Sequence, residues 1–304
     1  MKKAQILLSA PFDYDAMMQC LHALSEEFPF LELRYLGLSI ADRAIPLLKL
    51  GRGEKRILFV GAHHGMEWIT SALLCTFLRE LCQGLCDGMR ISRISVVELL
   101  KTHCLYVIPM LNPDGVEYQI HGIATEDPLY SRVLEMNGGS DDLRLWQANA
   151  RGVDLNHNYD AGFAEYKTLE KANGILGGAP TRYSGEFPES EPEVKLLCDM
   201  IRFLSPWKGV LTLHTQGEEI FVPSPQSTHS KITAKRLSEL TGYRLNRADG
   251  MAAFGGLSDW CAQKQGIPAF TMECGKGRNP LPQNMLFSIY TAVRTSLFLF
   301  PTLL

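Results

Sequence analysis

The sequence predicts an α/β fold with a largely parallel or mixed sheet. Short apolar runs alternate with helical patterns along the chain, which is typical of this fold class. No low-complexity segment, charge block or repeat interrupts them, and 304 residues with 46% hydrophobic content can bury one sizeable core or two smaller ones. We predict a single domain over residues 1–304, in which residues 1–55 supply a helix and strands without an assigned function.

The elements of the first half follow from their apolar periodicity. A helix is predicted over residues 12–27, followed by strands in the segments FLELRYLGLS, RAIPLLKLG and KRILFVGAHH, and then by a helix over residues 67–86. The segment HCLYVIPMLNPDG predicts a buried strand ending in a Pro-Asp-Gly turn, because Pro113 fixes φ and Gly115 allows a positive φ. Residues 119–186 are polar, and we expect them to be irregular.

In the second half, helical and strand patterns alternate again. We predict a helix opened by PESEPEVKLL, a strand GVLTLHT, a helix near residues 230–241, a strand IPAFTMECG and a final helix over residues 283–299. Ligands of open α/β sheets gather at the carboxyl ends of the strands. Polar residues at such ends are therefore the candidates for a site.

Composition and charge limit the kind of partner. A net charge of −3 and an isoelectric point near 6.3 give no general attraction to nucleic acid or to an anionic membrane. There is no run of 18 or more apolar residues, so we expect no membrane span. The first apolar segment is only about six residues long, shorter than that of a signal peptide. We expect a cytoplasmic protein with a small or peptidic ligand, whose eight cysteines are mostly thiols within apolar segments.

A histidine and a glutamate mark the junction between a buried strand and the following helix. His64 ends the strand segment and Glu67 follows three residues later, so both side chains can turn to a common point. A catalytic zinc site needs three protein ligands and one open position for water. His214, at the end of another buried strand, is the candidate third ligand. Each residue alone has a plainer explanation, such as a helix cap or a structural hydrogen bond.

Two carboxylates complete the candidate chemistry. Glu273 ends the apolar strand AFTMECG, and a glutamate there is costly to bury without a partner or a task. A general base must remove a proton from the activated water and pass it to the departing amine, and Glu273 is the candidate. Asp154 is the candidate acceptor that orients His64. A salt bridge for Glu273 and a turn cap for Asp154 are the alternatives.

Together these segments resemble the M14 family of zinc carboxypeptidases from about residue 55 to the final helix. The resemblance rests on HHGMEW, MLNPDGVEY, ARGVDLNHNYD, YSGEFPESEPE, LTLHT and AFTMECG in the family's order. It implies a single-domain zinc-carboxypeptidase-like fold, with a mixed eight-stranded sheet and helices on both faces. It also implies one zinc ion held by His64, Glu67 and His214, Glu273 as base and acid, and Asn156 as a binder of the substrate carboxylate.

The first departures from the family concern positive charge. His157 stands after Asn156 where digestive members have an arginine, and histidine lacks the guanidinium fork that clamps a carboxylate. Gln147 stands where those members have the arginine that stabilises the oxyanion. Arg144 or Arg151 is expected to take over that role, with Arg151 preferred because it lies closer to Asn156 in sequence. His157 and Arg144 are also candidates for substrate binding.

Two further departures concern the specificity pocket. Met251 occupies the position of the family's flexible active-site tyrosine, and Ser258 falls near the position that lines the pocket floor. A small polar residue at the floor suggests neither a purely apolar nor a strongly cationic substrate side chain.

A narrower resemblance concerns the substrate. The segments NARGVDLNHNYDAGF and LHTQGEEIFVP are similar to those of bacterial γ-D-glutamyl-meso-diaminopimelate peptidases. This implies hydrolysis of the amide between γ-D-Glu and meso-diaminopimelate in peptidoglycan peptides. A general metallocarboxypeptidase, a deacylase of N-acyl amino acids and a non-catalytic peptide-binding relative are the alternatives, and the last of these would lack a ligand or the base.

Overall fold

The computed structural model describes residues 11–224 and 227–304, which form an α/β architecture. Its strands are β1 (Glu32–Leu38), β2 (Ala44–Leu50), β3 (Lys55–Val60), β4 (Arg90–Ile91), β5 (Ile94–Ser95), β6 (His103–Ile108), β7 (Trp207–His214), β8 (Glu219–Phe221), β9 (Arg244–Asn246) and β10 (Ala269–Glu273). Its α-helices are α1 (Tyr14–Glu27), α2 (Ile69–Cys86), α3 (Val96–Thr102), α4 (Pro113–His121), α5 (Tyr130–Met136), α6 (Phe163–Ala172), α7 (Pro192–Phe203), α8 (Thr228–Thr241), α9 (Leu257–Lys264) and α10 (Leu286–Leu299). Short 3-10 segments cover Gly65–Glu67, Leu155–His157, Gly250–Ala253, Gln283–Met285 and Phe300–Leu303.

Eight strands form one mixed sheet in the order β1-β2-β6-β3-β7-β10-β8-β9, and β4 with β5 forms a separate hairpin. The central strands β6, β3, β7 and β10 run parallel, whereas β1, β2 and β8 pair antiparallel to a neighbour. The carboxyl ends of β3, β7 and β10 therefore meet at one edge of the sheet. The predicted fold, a mixed eight-stranded sheet with helices on both faces, is confirmed.

Both faces of the sheet are buried, and β3 shows how. Ile57 and Phe59 point into the core on the side of α1, α2, α8 and α10, whereas Leu58 and Val60 point into the core on the side of α7 and α9. Alternate residues of a strand face opposite sides of the sheet. A strand covered on both sides needs apolar residues at every position, which explains the continuous apolar run in the sequence.

The C-terminal segment Gln283–Leu303 is long and apolar enough to cross a membrane by length and composition, and half of it is buried. Its helix α10 packs against α2 and α8. Apolar residues are needed on that side for packing, and this accounts for much of the hydropathy of the segment.

The predicted Pro-Asp-Gly turn is wrong, because these residues open helix α4. Pro113 occupies the first helical turn, where its missing N–H costs nothing. Asn112 caps the helix, since its Oδ1 accepts a hydrogen bond from the Gly115 N–H at 2.9 Å. Gly115 has no positive φ; instead, a Cβ there would collide with the carbonyl oxygen of Ala148. Close approach of two backbones, rather than a turn, explains the glycine.

The expectation of an irregular region over residues 119–186 also needs correction. Helices α5 and α6 lie within it, and Trp146 and Tyr166 are fully buried there. These helices carry few apolar residues, so their sequence pattern is weak. The short elements α3, α9, β8 and β9 also went unpredicted, since a strand of three residues leaves almost no periodicity to detect.

Candidate metal centre and catalytic cavity

Two histidines and one glutamate converge where β3 and β7 end. His64 Nδ1 lies 3.0 Å from Glu67 Oε1, and His214 Nδ1 lies 3.0 Å from Glu67 Oε2. The two Nδ1 atoms are 3.3 Å apart. All three side chains are buried, and an atom from each lies within 4.8 Å of the others. The structure thus brings together the three predicted ligands, whose role in metal binding stays a prediction.

The local backbone explains how residues 64 and 67 converge. The chain leaves β3 and makes one 3-10 turn, in which the Glu67 N–H donates to the His64 carbonyl at 3.0 Å. Gly65 sits inside this turn against α4, where a Cβ would collide with the Gly115 carbonyl. The contact with α4 requires glycine, and the turn places the Glu67 carboxylate beside the His64 ring.

The charges of this trio fit a bound cation. Burial alone would raise the pKa of Glu67, but His64 and His214 hold it at about 2. The carboxylate is therefore ionised inside the protein. The buried His214 Nε2 has no hydrogen-bond partner among the described residues, and its Nδ1 faces the Nδ1 of His64. Two imidazole nitrogens and a carboxylate are a donor set that zinc favours, so the residues fit this metal.

Asp154 lies beside His64 where the predicted orienting role would place it, and that role stays a prediction. Its Oδ1 lies 3.1 Å from His64 Nε2, on the side of the ring away from Glu67. Its Oδ2 accepts from the Arg182 N–H at 3.1 Å and from Gln147 Nε2 at 3.4 Å. Although burial alone would raise its pKa, the neighbouring His64 holds the pKa of Asp154 well below its usual value. A carboxylate behind a histidine ligand sets its tautomer and raises its basicity.

Two buried glutamates, Glu191 and Glu193, support the loop that carries Asp154 by accepting hydrogen bonds from Asn149. Asn149 Nδ2 donates to Glu191 Oε2 at 2.8 Å and to Glu193 Oε2 at 3.3 Å. Asn149 Oδ1 in turn accepts from the N–H of Val153 at 3.1 Å. Burial raises the pKa of Glu193 to about 8, so this carboxyl holds its proton at neutral pH. The sequence motif PESEPE, which contains Glu191 and Glu193, did not predict this supporting role.

Glu273 occupies the last position of β10, in register with His214 on β7. Burial, followed by the negative charge of Glu67, raises the pKa of Glu273 well above its usual value. A positive charge at the trio would oppose this shift. The carboxylate is thus placed at the same sheet edge as the predicted ligands, and it lines the same cavity.

His63 is occupied by other partners. Its Nε2 lies 3.1 Å from the Tyr159 hydroxyl, and its Nδ1 lies 3.3 Å from Thr212 Oγ1. The ring also stacks on His214, with centroids 5.1 Å apart. Both nitrogens being used, His63 supports the His214 ring from behind, in keeping with the interpretation of His64 as the ligand.

A cavity of about 720 Å³ opens above the trio. The predicted substrate-binding residues Asn156, His157 and Ser258 line it, as does Gln147. Ser258 is buried, and its Oγ lies 2.9 Å from Thr271 Oγ1. The lining at Ser258 is therefore small and polar, and its role as the floor of a specificity pocket stays a prediction.

The remaining predicted residues lie elsewhere. Arg144 is largely exposed and pairs with Asp142 at 2.6 Å, and it lines a separate cavity. Arg151 points to Glu191 at 3.8 Å. Neither arginine lines the catalytic cavity, and neither does Met251. Of the three oxyanion candidates, the structure brings only Gln147 to the cavity.

Sequence reasoning missed several cavity residues. Asn279 Nδ2 donates to the Thr215 carbonyl at 2.7 Å and lies 3.4 Å from Glu67 Oε1, so it helps to hold a predicted ligand. Lys231, Arg247 and Asp259 also line the cavity. They come from α8, from the end of β9 and from α9, and no motif marks them. Predicting these three residues from the sequence would have required knowing that α8, β9 and α9 lie beside the cavity.

A mixed sheet with this trio at the carboxyl ends of its central strands is the arrangement that the sequence predicts for a zinc-dependent peptidase. A family model described as zinc carboxypeptidase, Peptidase M14, matches residues 17–295. The chain belongs to the M14 family of zinc carboxypeptidases, which use one catalytic zinc ion, and it is a hydrolase. The family resemblance predicted from the sequence motifs is confirmed.

Individual relatives agree with this family. The chain is 32% identical over 281 residues to gamma-D-glutamyl-L-diamino acid endopeptidase 1 of Lysinibacillus sphaericus, covering 92% of this chain and 69% of the relative. It is 31% identical over 258 residues to carboxypeptidase B of Homo sapiens, covering 78% of this chain and 56% of the relative. The structure of carboxypeptidase A from Helicoverpa armigera matches 99% of this chain and 75% of its own, with a TM-score of 0.74 at 18% identity.

Proposed function

We propose that this peptidase hydrolyses the amide bond between γ-D-Glu and meso-diaminopimelate in peptidoglycan-derived peptides. The observation that carries the proposal is the 32% identity, over most of the chain, to a relative named for γ-D-glutamyl-L-diamino acid cleavage. The cavity offers support, because its lining combines Asp259, whose pKa burial raises to about 7, with the cations of Lys231 and Arg247. A diaminopimelate side chain ends in both an ammonium and a carboxylate, and such a lining complements both charges.

Different residues of the chain have different roles in this reaction. A zinc ion held by His64, Glu67 and His214 would polarise the substrate carbonyl and lower the pKa of a bound water. The Glu273 carboxylate accepts a proton from the attacking water as the new C–O bond forms. The same carboxyl then gives that proton to the departing nitrogen as the C–N bond breaks. Asp154 keeps the His64 ring in place throughout.

The Asn156 amide is positioned for the substrate. Its Oδ1 accepts from the Leu257 N–H at 3.2 Å, so its Nδ2 is the end left to donate. Because this side chain lines the cavity, Nδ2 can donate to a substrate carboxylate. Gln147 is anchored to Asp154 and to the Thr181 hydroxyl at 2.9 Å, which makes it a fixed amide beside the trio.

Mass spectrometry of reaction products tests the proposal. Zinc-loaded protein is given L-Ala-γ-D-Glu-meso-diaminopimelate beside a panel of ordinary C-terminal peptides. Release of diaminopimelate from the wall peptide alone is the expected result. The Glu273→Gln protein, loaded with zinc in the same way, serves as the control for contaminating peptidases.

A general carboxypeptidase is the second candidate, favoured by the 31% identity to human carboxypeptidase B. Trimming of ordinary peptides in the same assay, with no diaminopimelate released, would establish it and refute the proposal above. An N-acyl amino acid as the preferred substrate would point to the deacylase alternative instead.

We also propose a cytoplasmic location. All eight cysteines are free thiols and seven of them are buried, which suits a reducing compartment. Cell fractionation followed by immunodetection of the native protein tests this, and recovery in the medium or in the membrane fraction would refute it.

A further inference from the structure

The catalytic cavity is poor in positive charge. Its described lining contains the carboxyl groups of Glu67, Glu273 and Asp259, but its lysine and arginine side chains are limited to Lys231 and Arg247. A peptide that loses its C-terminal residue brings a carboxylate next to the scissile bond. Burying that carboxylate without a cationic or strong hydrogen-bonding partner is costly. One of the lining residues must meet it.

His157, which follows Asn156, is not available for this task. Its Nδ1 lies 2.8 Å from the carbonyl oxygen of Phe254, so this nitrogen carries the hydrogen. Its ring stacks on Tyr166 with centroids 4.2 Å apart. Burial lowers the pKa of His157, so the ring is neutral and presents an acceptor nitrogen, which repels a carboxylate. His157 acts as a packed wall of the cavity.

Arg247, unlike His157, is a cation that no other described residue engages in an ion pair. It follows edge strand β9, its side chain lines the cavity, and it forms no ion pair with another described residue. Arg244, on the same strand, is different, because it is paired with Glu219 and does not line the cavity. The guanidinium of Arg247 is thus free to bind a ligand, and its planar fork matches a carboxylate with two parallel hydrogen bonds.

We propose that Arg247, together with the Nδ2 amide of Asn156, binds the free carboxylate of the residue that is cleaved off. Lys231 is less suited, because an ammonium is a point charge and offers no fork. The inference builds on the proposed function but depends only on a departing residue with a free carboxylate. It keeps Asn156 as one partner of that carboxylate and moves the cationic partner from position 157 to the segment that follows β9.

The test measures binding with matched ligands, so that turnover plays no part. Zinc-loaded Glu273→Gln protein is titrated calorimetrically with L-Ala-γ-D-Glu-meso-diaminopimelate, and with the analogue in which the carboxylate beside the scissile amide is a carboxamide. A second pair, an N-acetylated dipeptide acid and its amide, is titrated in the same way. We expect each acid to bind more tightly than its amide.

Adding Arg247→Gln should weaken binding of the acid about tenfold, the typical value of one charge-assisted contact, and leave the amide within about twofold. Arg247→Lys should keep part of the preference. Arg244→Gln removes the same charge nearby without touching the cavity, and it should leave both affinities unchanged. A preference that survives Arg247→Gln, that disappears with Lys231→Gln instead, or that is missing before any change at Arg247 would overturn the inference.

The proposed diaminopimelate substrate and the proposed role of Arg247 can be refuted independently of each other. If only the dipeptide acid binds, and Arg247→Gln removes its advantage over the amide, the diaminopimelate substrate is wrong and the inference stands. If the wall peptide is bound and cleaved, but the acid preference does not depend on Arg247, the substrate stands and the inference is wrong.

Discussion

Two walls of the catalytic cavity are built in opposite ways. The metal wall is formed by the residues at the ends of β3, β7 and β10, and its predicted ligands His64, Glu67 and His214 are buried and lie within hydrogen-bonding distance of one another. The far wall, formed by the cavity-lining residues within 216–224 and 227–263 around strands β8 and β9, carries exposed cations such as Lys231 and Arg247. The first holds charges in a fixed geometry, whereas the second leaves them free for a ligand. We therefore expect chemistry and recognition to lie on different walls of the cavity.

The largest effect is expected from removing a predicted ligand in the metal wall. His214→Ala deletes one of three converging donors and leaves Glu67 with one fewer neighbouring imidazole. We expect zinc content, measured by atomic emission after dialysis, to fall well below one equivalent, and hydrolysis to be lost. His22→Ala, on helix α1 and away from the site, is the matched control. Full zinc content in His214→Ala would show that the third ligand lies elsewhere.

Changing the base in the same wall should separate chemistry from metal binding. Glu273→Gln keeps the shape of the side chain but cannot accept a proton. Turnover should fall by roughly 10²–10⁴, the usual contribution of a general base, with zinc content unchanged. Near-normal turnover would exclude Glu273 as the base, whereas loss of zinc would show that it supports the metal.

Glu193, which is buried and supports the loop of Asp154, predicts that the free energy of unfolding depends on pH. Glu193 keeps its proton up to about pH 8 in the folded protein, whereas it loses it near 4.5 when unfolded. The folded state therefore binds more protons between these values, and the free energy of unfolding falls as pH rises across this window. Glu193→Gln should remove roughly 2–4 kcal/mol of that fall, because glutamine does not titrate.

Thermal unfolding of both proteins between pH 5 and pH 8.5 checks this expectation. Glu239→Gln, an exposed position on α8, should keep the pH slope of the unmodified chain. Parallel slopes for Glu193→Gln and the unmodified protein would mean that Glu193 is ionised in the folded state.

A smaller effect is expected from the residue behind His64. Asp154→Asn keeps the hydrogen-bonding shape but loses the negative charge that faces His64 Nε2. Zinc affinity should fall about 10- to 100-fold, as is usual for carboxylates behind histidine ligands. Competition with a chromogenic chelator measures it. Unchanged affinity would indicate that the Arg182 and Gln147 contacts hold the loop without help from the charge.

The smallest effect is expected next to the far wall, at Arg244 on β9, which does not line the cavity. Arg244→Gln breaks an exposed ion pair with Glu219, and such pairs contribute about 0–1 kcal/mol. Urea unfolding should show a change in this range and no change in zinc content. A loss of several kcal/mol would remove the contrast between the two walls, because the far wall would then also depend on fixed charges.

The contrast between the walls also explains what the sequence could predict. His64 follows an apolar strand, and His214 and Glu273 end two others, so periodicity located these strand ends and the family resemblance predicted that they converge. Arg247 and Asn279 come from segments without periodicity, and Asn279 meets Glu67 across 212 residues of sequence. Such pairs form only through tertiary packing. Arg151 illustrates the opposite case, because it lies close to Asn156 in sequence but does not line the cavity.

The close backbone contact between Gly65 and Gly115 bears on how this enzyme can be engineered. A side chain at Gly65 would force the ligand-bearing turn away from helix α4, and one at Gly115 would collide with the Ala148 carbonyl, although neither glycine lines the cavity. In a library of all single substitutions selected for activity, we expect both positions to be as intolerant as the predicted ligands themselves. Directed evolution of new specificity should therefore leave this contact untouched and concentrate its diversity on residues 244–259.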